Sequence, residues 1–187
     1  MTTSTEDVTR WTKEIQLKDG TKALLRPELT TDLEMLWEMY STLGEESRRF
    51  QPEISRELVE RWIENLDYEK GLPIVAVVKE PSSRERIIAA ATLGPFLRNE
   101  TNRHLTELGI TVHDDYQDKG LGTQLTQHMI DIAREKGLKK VFLKVFTNNE
   151  RAIHVYKRCG FKIEGRLEKE HYKDGEYGDD YRMIILL

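Results

Sequence analysis

The segment from residue 105 to residue 137 constrains the fold most, because its hydrophobic period changes across a short glycine-containing turn. Residues 105–112 (LTELGITV) alternate and are rich in β-branched side chains, which predicts a strand. After the sequence QDKGLG, apolar residues recur with the period of a helix. The predicted apolar face of that helix carries Leu121, Leu125, Met129 and Ile132. The chain therefore contains a strand, a glycine turn and a helix in direct succession.

The glycine turn is suited to binding a phosphate group. The first N–H groups of a helix have no intrahelical partner, and they point away from its N-terminus. Gly120 and Gly122 have no Cβ atom that would hold a ligand away from these N–H groups. The segment has neither the GxGxxG order of a dinucleotide-binding fingerprint nor the GK[ST] sequence of a Walker loop. A pyrophosphate would fit at this turn, but neither of those two motifs describes it.

A second strand and helix follow the first pair. Residues 139–146 (KKVFLKVF) predict a strand, and the sequence NNERAIHVYKRCGF then predicts a helix. Asn149 suits the N-cap of this helix, and Gly160 suits the position that ends it. Ala152 and Tyr156 are four residues apart, so they share one face of the helix.

These two units resemble the two signatures of the GNAT superfamily of N-acetyltransferases. QDKGLG is similar to the superfamily's pyrophosphate arm, which reads Gln or Arg, two variable residues, Gly, one variable residue, and Gly or Ala. The second unit is similar to the pattern Asn-x-x-Ala-x-x-x-Tyr ending in Gly-Phe. The matching residues are Asn149, Ala152, Tyr156, Gly160 and Phe161. The resemblance is specific from about Leu105 to Phe161.

The resemblance implies that acetyl-CoA is the cosubstrate. It implies that the main chain of residues 117–123 binds the pyrophosphate, that Asn149 holds the pantetheine amide, and that the pantetheine runs beside Ile110 and Val112. The expected cofactor-binding residues are Ile110, Val112, Gln117, Asp118, Lys119, Gly120, Leu121, Gly122, Thr123 and Asn149.

Two residues are candidates for catalysis. An alkyl ammonium has a pKa near ~10, so a base must remove a proton before the amine can attack. The resemblance to Pat-type protein lysine acetyltransferases implies that Glu107 is this base, directly or through a water, with Asp114 and Asp115 as alternatives. It also implies that Tyr156 protonates the leaving sulfur and that the N–H of about Ile110 stabilises the oxyanion. Two alternatives remain open: Glu107 could be a structural carboxylate, and Tyr156 could be a core residue.

Three hypotheses for the function remain, two of which differ in the amine that accepts the acetyl group. The segment RPELTTDLEMLWEMYSTLGEESRRF is loosely similar to Pat-type enzymes, which favours a lysine on another protein. The sequence contains nothing like the nucleotide-binding or regulatory domain of those enzymes, so a polyamine-like small amine is the alternative. A non-catalytic acyl-CoA sensor ranks last, because both Glu107 and Tyr156 are present.

The remaining segments predict an α/β fold with a central, mostly antiparallel mixed sheet and helices on both faces. A strand pair flanks the Lys18-Asp19-Gly20 turn, and helices are expected at residues 33–42 and 55–66. Leu58, Val59, Trp62, Ile63 and Leu66 form the apolar side of the second helix. Two apolar runs then form a hairpin. A last strand pair surrounds Asp174-Gly175, with MIILL as a buried final strand.

Composition limits the remaining choices. The 187 residues suit one domain, so we expect a flexible arm at residues 1–12 and a single N-acetyltransferase domain at 13–187. A net charge of -4 argues against nucleic acid and suits a cationic substrate. No apolar run approaches ~20 residues and no signal pattern begins the chain, so we expect a cytoplasmic protein without a membrane partner. One cysteine and five scattered histidines argue against a disulfide and a metal site. A homodimer remains open.

Overall fold

The protein is built on one mixed sheet. A computed structural model describes residues 9–96 and 101–187. Within these ranges the sheet has eight strands in the order β1-β2-β3-β4-β5-β6-β8-β7. The strands are β1 (Lys13–Gln16), β2 (Lys22–Pro27), β3 (Leu72–Lys79), β4 (Glu85–Gly94), β5 (Leu105–Val112), β6 (Lys140–Phe146), β7 (Lys162–Lys173) and β8 (Glu176–Leu186). The predicted mixed, mostly antiparallel sheet is confirmed.

Helices cover both faces of the sheet. The described helices are α1 (Leu33–Ser41), α2 (Glu45–Arg49), α3 (Arg56–Glu64), α4 (Leu121–Glu135) and α5 (Glu150–Arg158), with a 3-10 turn at Asp114–Tyr116. We call the face under α1 and α3 the front face; its buried sheet residues are Val75, Val77, Ile87 and Ala90. The face under α4 and α5 is the back face, and its larger core includes Leu108, Val141 and Leu143.

The two parallel strands separate in the middle of the sheet. β5 and β6 pair only from Leu105 with Lys140 to Glu107 with Phe142. On its other side, β5 stays paired with β4 as far as Val112. Beyond Glu107, β5 therefore has main-chain groups directed toward β6 without a strand partner there. This gap in the sheet sets the position of the candidate site.

The strongest pattern in the sequence gives the most accurate prediction. β5 has the predicted bounds, and the predicted inner face of α4 is fully covered, with exposures of 0% to 1% for Leu121, Leu125, Met129 and Ile132. The side chain of Trp62 was expected on the buried side of α3, but it is 39% exposed. Its ring packs edge-on against the ring of Tyr40, with the two centroids 5.8 Å apart. Only Val59 and Ile63 of α3 are buried, because this short helix contacts its neighbours along a narrow stripe.

Three other features of the structure differ from what the sequence predicts. The helix α2 was not predicted. In the MIILL run Met183 is buried, but Leu186 is 71% exposed at the end of β8. Residues 1–8 of the predicted arm lie outside the described residues, whereas Trp11 is 3% exposed and its carbonyl accepts a hydrogen bond from Nε2 of His128 at 2.8 Å. The packed chain therefore begins before residue 13. No helix in the described ranges is long and apolar enough to cross a membrane.

Candidate functional site

A cavity of about 630 Å³ lies beside the part of β5 that has lost β6 as a partner. Its walls come from the end of β5, the N-terminus of α4, residues of α5, and α2 with the residues that follow it. These four elements are distant in sequence. The cavity therefore exists only because the sheet places β5 between α2 and the α4–α5 pair.

The N-terminus of α4 opens into this cavity. Gly120, the N-cap residue, has a left-handed backbone (φ 84°), and no side chain caps the helix. The first hydrogen bond of α4 runs from the N–H of Gln124 to the carbonyl of Gly120 at 3.1 Å. The N–H groups of residues 121–123 are therefore left for a ligand, and Gly122 and Thr123 line the cavity. Free N–H groups at a helix N-terminus are suited to binding an anion such as a phosphate.

Gln117 ties this turn to three neighbouring elements. Its Nε2 donates to the carbonyl of Val112 at 3.1 Å and to Oγ of Ser47 at 2.8 Å. Its Oε1 accepts a hydrogen bond from the guanidinium of Arg151 on α5. One amide side chain thereby joins β5, α2 and α5 at the mouth of the cavity.

Positive charge surrounds the same region. Lys18, Arg151 and Arg158 line the cavity. Arg151 has only loose carboxylate neighbours, at 3.5 Å from Glu46 and 3.9 Å from Asp118. Cations around an uncapped helix N-terminus favour a phosphorylated ligand. Lys119 instead pairs with Asp19 at 2.9 Å and is not among the residues that line the cavity.

The side-chain amide of Asn149 uses its oxygen to cap α5, which leaves its nitrogen free to donate a hydrogen bond to a ligand. Its Oδ1 accepts a hydrogen bond from the N–H of Ala152 at 3.2 Å and so caps α5, as the sequence predicts. Asn149 also lines the cavity. Because the oxygen is held by the cap, the amide nitrogen is oriented and can donate to a ligand carbonyl.

Tyr156 lies on the inner face of α5 at the cavity wall. The residue is 9% exposed, and its ring packs on Phe161 with centroids 5.8 Å apart. Its hydroxyl has no hydrogen-bond partner in the part of the chain that the structure describes, and the residue lines the cavity. Burial raises the pKa of Tyr156 to about 12. The phenol therefore stays protonated at neutral pH and can donate a proton into the cavity.

Glu107 lies apart from the cavity walls. Its partner on β4 is Gly94, and by strand alternation its side chain shares the front face with Gly109 and Thr111. Of these three β5 residues, only Thr111 lines the cavity. On β6, a hydrogen bond from Lys144 to Glu170 at 2.8 Å raises the pKa of Lys144, and the nearby charge of Glu107 adds to this. A base at Glu107 would therefore serve an amine that approaches from the front face.

The two alternative bases have other surroundings. Asp114 accepts hydrogen bonds from the N–H of Gly44 at 2.7 Å and from Oγ of Ser47 at 2.6 Å. Burial raises the pKa of Asp114, but these hydrogen bonds outweigh that effect and lower it. Asp114 therefore holds α2 in place. Asp115 is 66% exposed, with one carboxylate oxygen 3.5 Å from Nδ1 of His113.

Nine of the twelve predicted site residues line the cavity: Ile110, Val112, Gln117, Asp118, Gly120, Gly122, Thr123, Asn149 and Tyr156. Among the described residues, Glu107, Lys119 and Leu121 do not line it; Leu121 is fully buried in the back-face core. The sequence reasoning missed the wall formed by Ser47, Phe50 and Gln51. A signal for it was present, since GEESRR has acidic residues in the first turn and basic residues in the last turn of α2.

Comparison with known proteins identifies one family model. The model of the acetyltransferase (GNAT) family matches residues 34–161, which include β5, α4 and α5. The match therefore spans the whole set of predicted site residues.

Curated relatives match over part of the chain. Spermidine N(1)-acetyltransferase of Escherichia coli (strain K12) is 38% identical over 80 residues, covering 42% of this chain and 43% of its own. L-amino acid N-acetyltransferase AaaT of the same organism is 36% identical over 81 residues, covering 43% and 50%. The L-methionine sulfoximine/L-methionine sulfone acetyltransferase of Pseudomonas aeruginosa is 30% identical over 110 residues, covering 59% and 62%. The chain spans about half the length of the curated relatives it matches.

Solved structures show the same fold over most of the chain. Spermidine N-acetyltransferase from Vibrio cholerae, in complex with CoA and spermine, has a TM-score of 0.72 at 24% identity, covering 88% of this chain and 95% of its own. The GNAT domain of S. lividans PAT has a TM-score of 0.74 at 22% identity, covering 95% and 98%. At these identities the likeness is one of fold.

Proposed function

The chain belongs to the GNAT family of acetyltransferases, and from that premise we propose that it transfers the acetyl group of acetyl-CoA to a primary amine of a small molecule. One observation carries the proposal. The cavity beside the unpaired end of β5 combines the uncapped N-terminus of α4 with Asn149 and Tyr156. A phosphate site, an amide donor and a buried phenol are thus arranged along one wall.

The proposed binding mode of acetyl-CoA follows the cavity. The pyrophosphate binds the free N–H groups at the start of α4, with Arg151 and Lys18 supplying positive charge. The pantetheine lies beside Ile110 and Val112, where β5 lacks a strand partner on the β6 side. The amide nitrogen of Asn149 donates to a pantetheine carbonyl. These contacts would place the thioester near the front-face opening of the gap.

The proposed reaction is a direct attack of the amine on the thioester. Glu107 accepts a proton from the ammonium, directly or through a water. A C–N bond forms and the carbonyl oxygen becomes an oxyanion, which the N–H of about Ile110 stabilises. The C–S bond then breaks, Tyr156 donates its proton to the thiolate, and the acylated nitrogen returns its extra proton to the Tyr156 phenolate through water. Glu107 releases the first proton to solvent, so the reaction leaves an amide, a thiol and one proton. Support for Glu107 comes from its place on the front face of β5, two residues before the exposed Gly109.

For the acceptor, a polyamine-like small amine has more support than the protein lysine favoured by the sequence. The matching curated relatives are named for spermidine, amino acids and methionine sulfoximine. The likeness to the GNAT domain of S. lividans PAT rests on 22% identity and concerns the fold. The net charge of -4 is compatible with a polycation.

A substrate screen tests the proposal. Purified protein and acetyl-CoA are incubated with spermidine, spermine, single amino acids and lysine peptides, and both thiol release and the acetylated product are measured. The expected result is the highest kcat/KM with a polyamine, and a kcat/KM for acetyl-CoA at least 10-fold lower in the Gly122→Val variant. A lysine peptide as the best acceptor would overturn the small-amine assignment, and no transfer to any amine would overturn the proposed activity.

A further inference from the structure

Glu28 is a buried carboxylate without a partner. The residue follows β2 and is 6% exposed. Its carboxylate makes no hydrogen bond within the part of the chain that the structure describes, although its main-chain carbonyl accepts one from the hydroxyl of Tyr68. A buried carboxylate that lacks a donor is costly to the fold, so its presence calls for a reason.

Arg26, the cation whose charge acts on Glu28, is already paired with another carboxylate. Arg26 binds Asp32 in a fork, with Nη1 to Oδ2 at 2.6 Å and Nη2 to Oδ1 at 2.8 Å. Nη1 also donates to the carbonyl of Pro27 at 2.9 Å. This geometry satisfies Arg26 and Asp32 with each other. Glu28 is therefore left without a cation of its own, and in its ionised form a cation from outside the protein could neutralise it.

Glu28 belongs to the front face of the sheet. Arg26 pairs with Val75, a buried front-face residue, and Glu28 lies two positions further along the chain. The N–H of Glu28 extends the ladder by donating to the carbonyl of Pro73 at 3.1 Å. The register then runs from Pro73 to Thr92. Glu28 is thus placed in one row of the sheet that crosses β3 and β4.

The same row of residues continues across the sheet to β5, where the reaction is proposed to take place. Thr92 pairs with Gly109 on β5, and both residues are exposed, so α1 and α3 leave this strip of the front face open. At the usual strand spacing, Glu28 and Gly109 are roughly 14 Å apart across three strands. Glu107 lies on the same face, two residues from Gly109. Two carboxylates therefore lie at opposite ends of a strip in which Thr92 and Gly109 are exposed.

We propose that Glu28 binds a second ammonium group of a polyamine whose reacting amine lies at the β5 end of this strip. This inference rests on the proposed function. In it, Glu28 is the residue that makes the site select a polyamine over a monoamine. An extended chain of methylenes with amines along it matches the strip in shape and charge.

The charge of Glu28 should make polyamine binding depend on pH. Burial, with the neighbouring charge of Asp32, raises the pKa of Glu28 to about 7, while Arg26 opposes the shift. The other titratable groups that face Glu28 are Tyr40 on α1 and Tyr68, and the pKa of each is raised, chiefly by burial. Only Glu28 among these groups changes charge between pH 6 and pH 8. Polyamine binding should therefore tighten as the pH rises through that range.

Kinetics of Glu28→Gln test the inference. With saturating acetyl-CoA, we expect the KM for spermidine to rise about 10-fold or more, because a charge-assisted contact is lost. The KM for acetyl-CoA and the kcat/KM for butylamine, which has one amine, should stay within two-fold. The wild-type KM for spermidine should fall from pH 6 to pH 8, and that of the variant should stay flat. Glu34→Gln, which removes an exposed carboxylate of α1 paired with Arg56, is the matched control and should behave as wild type.

Each contrary result has a separate meaning. An unchanged spermidine KM in a folded Glu28→Gln protein overturns the inference, as does an equal loss with butylamine. If the variant does not fold, the wild-type pH profile decides, because a KM for spermidine that is flat from pH 6 to pH 8 excludes the role of Glu28. If wild-type protein acetylates no amine, the proposed function fails; if it acetylates spermidine and the variant does so equally well, only this inference fails.

Discussion

At the scale of single residues, the surroundings of Glu107, Tyr156 and Glu28 decide what each polar group can do. Tyr156 is buried against Phe161, so its phenol stays protonated. Glu107 is half-buried on a strand face that stays partly open. Glu28 is almost fully covered and unpaired. These differences in burial suit a proton donor, a proton acceptor and a cation-binding anion.

Replacing Tyr156 by Phe should lower turnover and leave cofactor affinity within a few-fold. The ring still packs on Phe161, while the proton for the leaving sulfur is lost. Because the hydroxyl has no partner among the described residues, the thermal midpoint of unfolding should not fall. Single-turnover kinetics and calorimetry with CoA measure the two effects. A folded variant with wild-type turnover, where chemistry is rate-limiting, would make Tyr156 a packing residue.

Replacing Glu107 by Gln should lower turnover about 100- to 10,000-fold at neutral pH, because the variant keeps the size of the side chain but removes its basicity. Alkaline buffer deprotonates the amine without help, so the variant should regain part of its rate as the pH rises. Asp115→Asn, at an exposed carboxylate beyond the same strand, is the control and should keep wild-type turnover. Near-normal turnover of Glu107→Gln at neutral pH would place the base elsewhere.

At the scale of elements, α2 shows how a short helix can complete a site without a core of its own. None of its side chains is buried. It is held by Asp114, by the contact of Ser47 with Gln117, and by Lys173 of β7, which donates to the carbonyls of Arg48 and Gln51. Such polar links join α2 to segments that are about 70 and 120 residues away in sequence. The wall of the cavity therefore depends on contacts that no local pattern specifies.

The start of α4 provides the test at this scale. A Cβ atom at Gly122 would meet Val112 and Val155 at 3.9 Å, an ordinary contact distance, so the fold accepts Gly122→Ala. Gly122→Val adds branched atoms where the pyrophosphate must approach, and we expect the CoA affinity of the folded variant to fall at least 10-fold. Gly122→Ala is the control, with a smaller loss. Unchanged affinity in a folded Gly122→Val protein would remove the pyrophosphate from this turn.

At the scale of the whole molecule, Glu28 should couple global stability to pH. Its pKa is about 7 in the folded protein and near 4.5 when exposed, so the folded state holds more protons between these values. The free energy of unfolding should therefore fall as the pH rises from about 4.5 to 7, and the penalty remains above that range. Carboxylates with lowered pKa values, such as Asp114, act in the opposite direction at lower pH.

Glu28→Gln removes this penalty without changing the size of the side chain. Relative to wild type, the variant should gain roughly 2 kcal/mol of unfolding free energy between pH 5 and pH 8. Urea denaturation at the two pH values measures the difference, and Glu34→Gln should show no such gain. If Glu28→Gln has the same stability difference from wild type at both pH values, the carboxylate is not buried as an unpaired charge.

The sequence by itself determined the central segments of this protein, because their signals are local. The alternation of β5, the apolar stripe of α4 and the cap of α5 at Asn149 each lie within a few residues of the structure they form. The turn at residues 117–123 needs only glycine and a helix N-terminus, so the sequence could propose candidate cofactor-binding residues, most of which line the cavity. The mixed sheet follows from the order of these elements.

Only the tertiary structure decided how the second half of the site is assembled. Whether Glu107 faces the cavity or the front face depends on its register with Gly94, and the wall at Ser47 depends on a hydrogen bond to Gln117 across the chain. Glu28 looked like one charge among many in the sequence. Its proposed function depends on its burial and on the pairing of Arg26 with Asp32, which leaves Glu28 without a cation. Both conditions arise only when the chain folds.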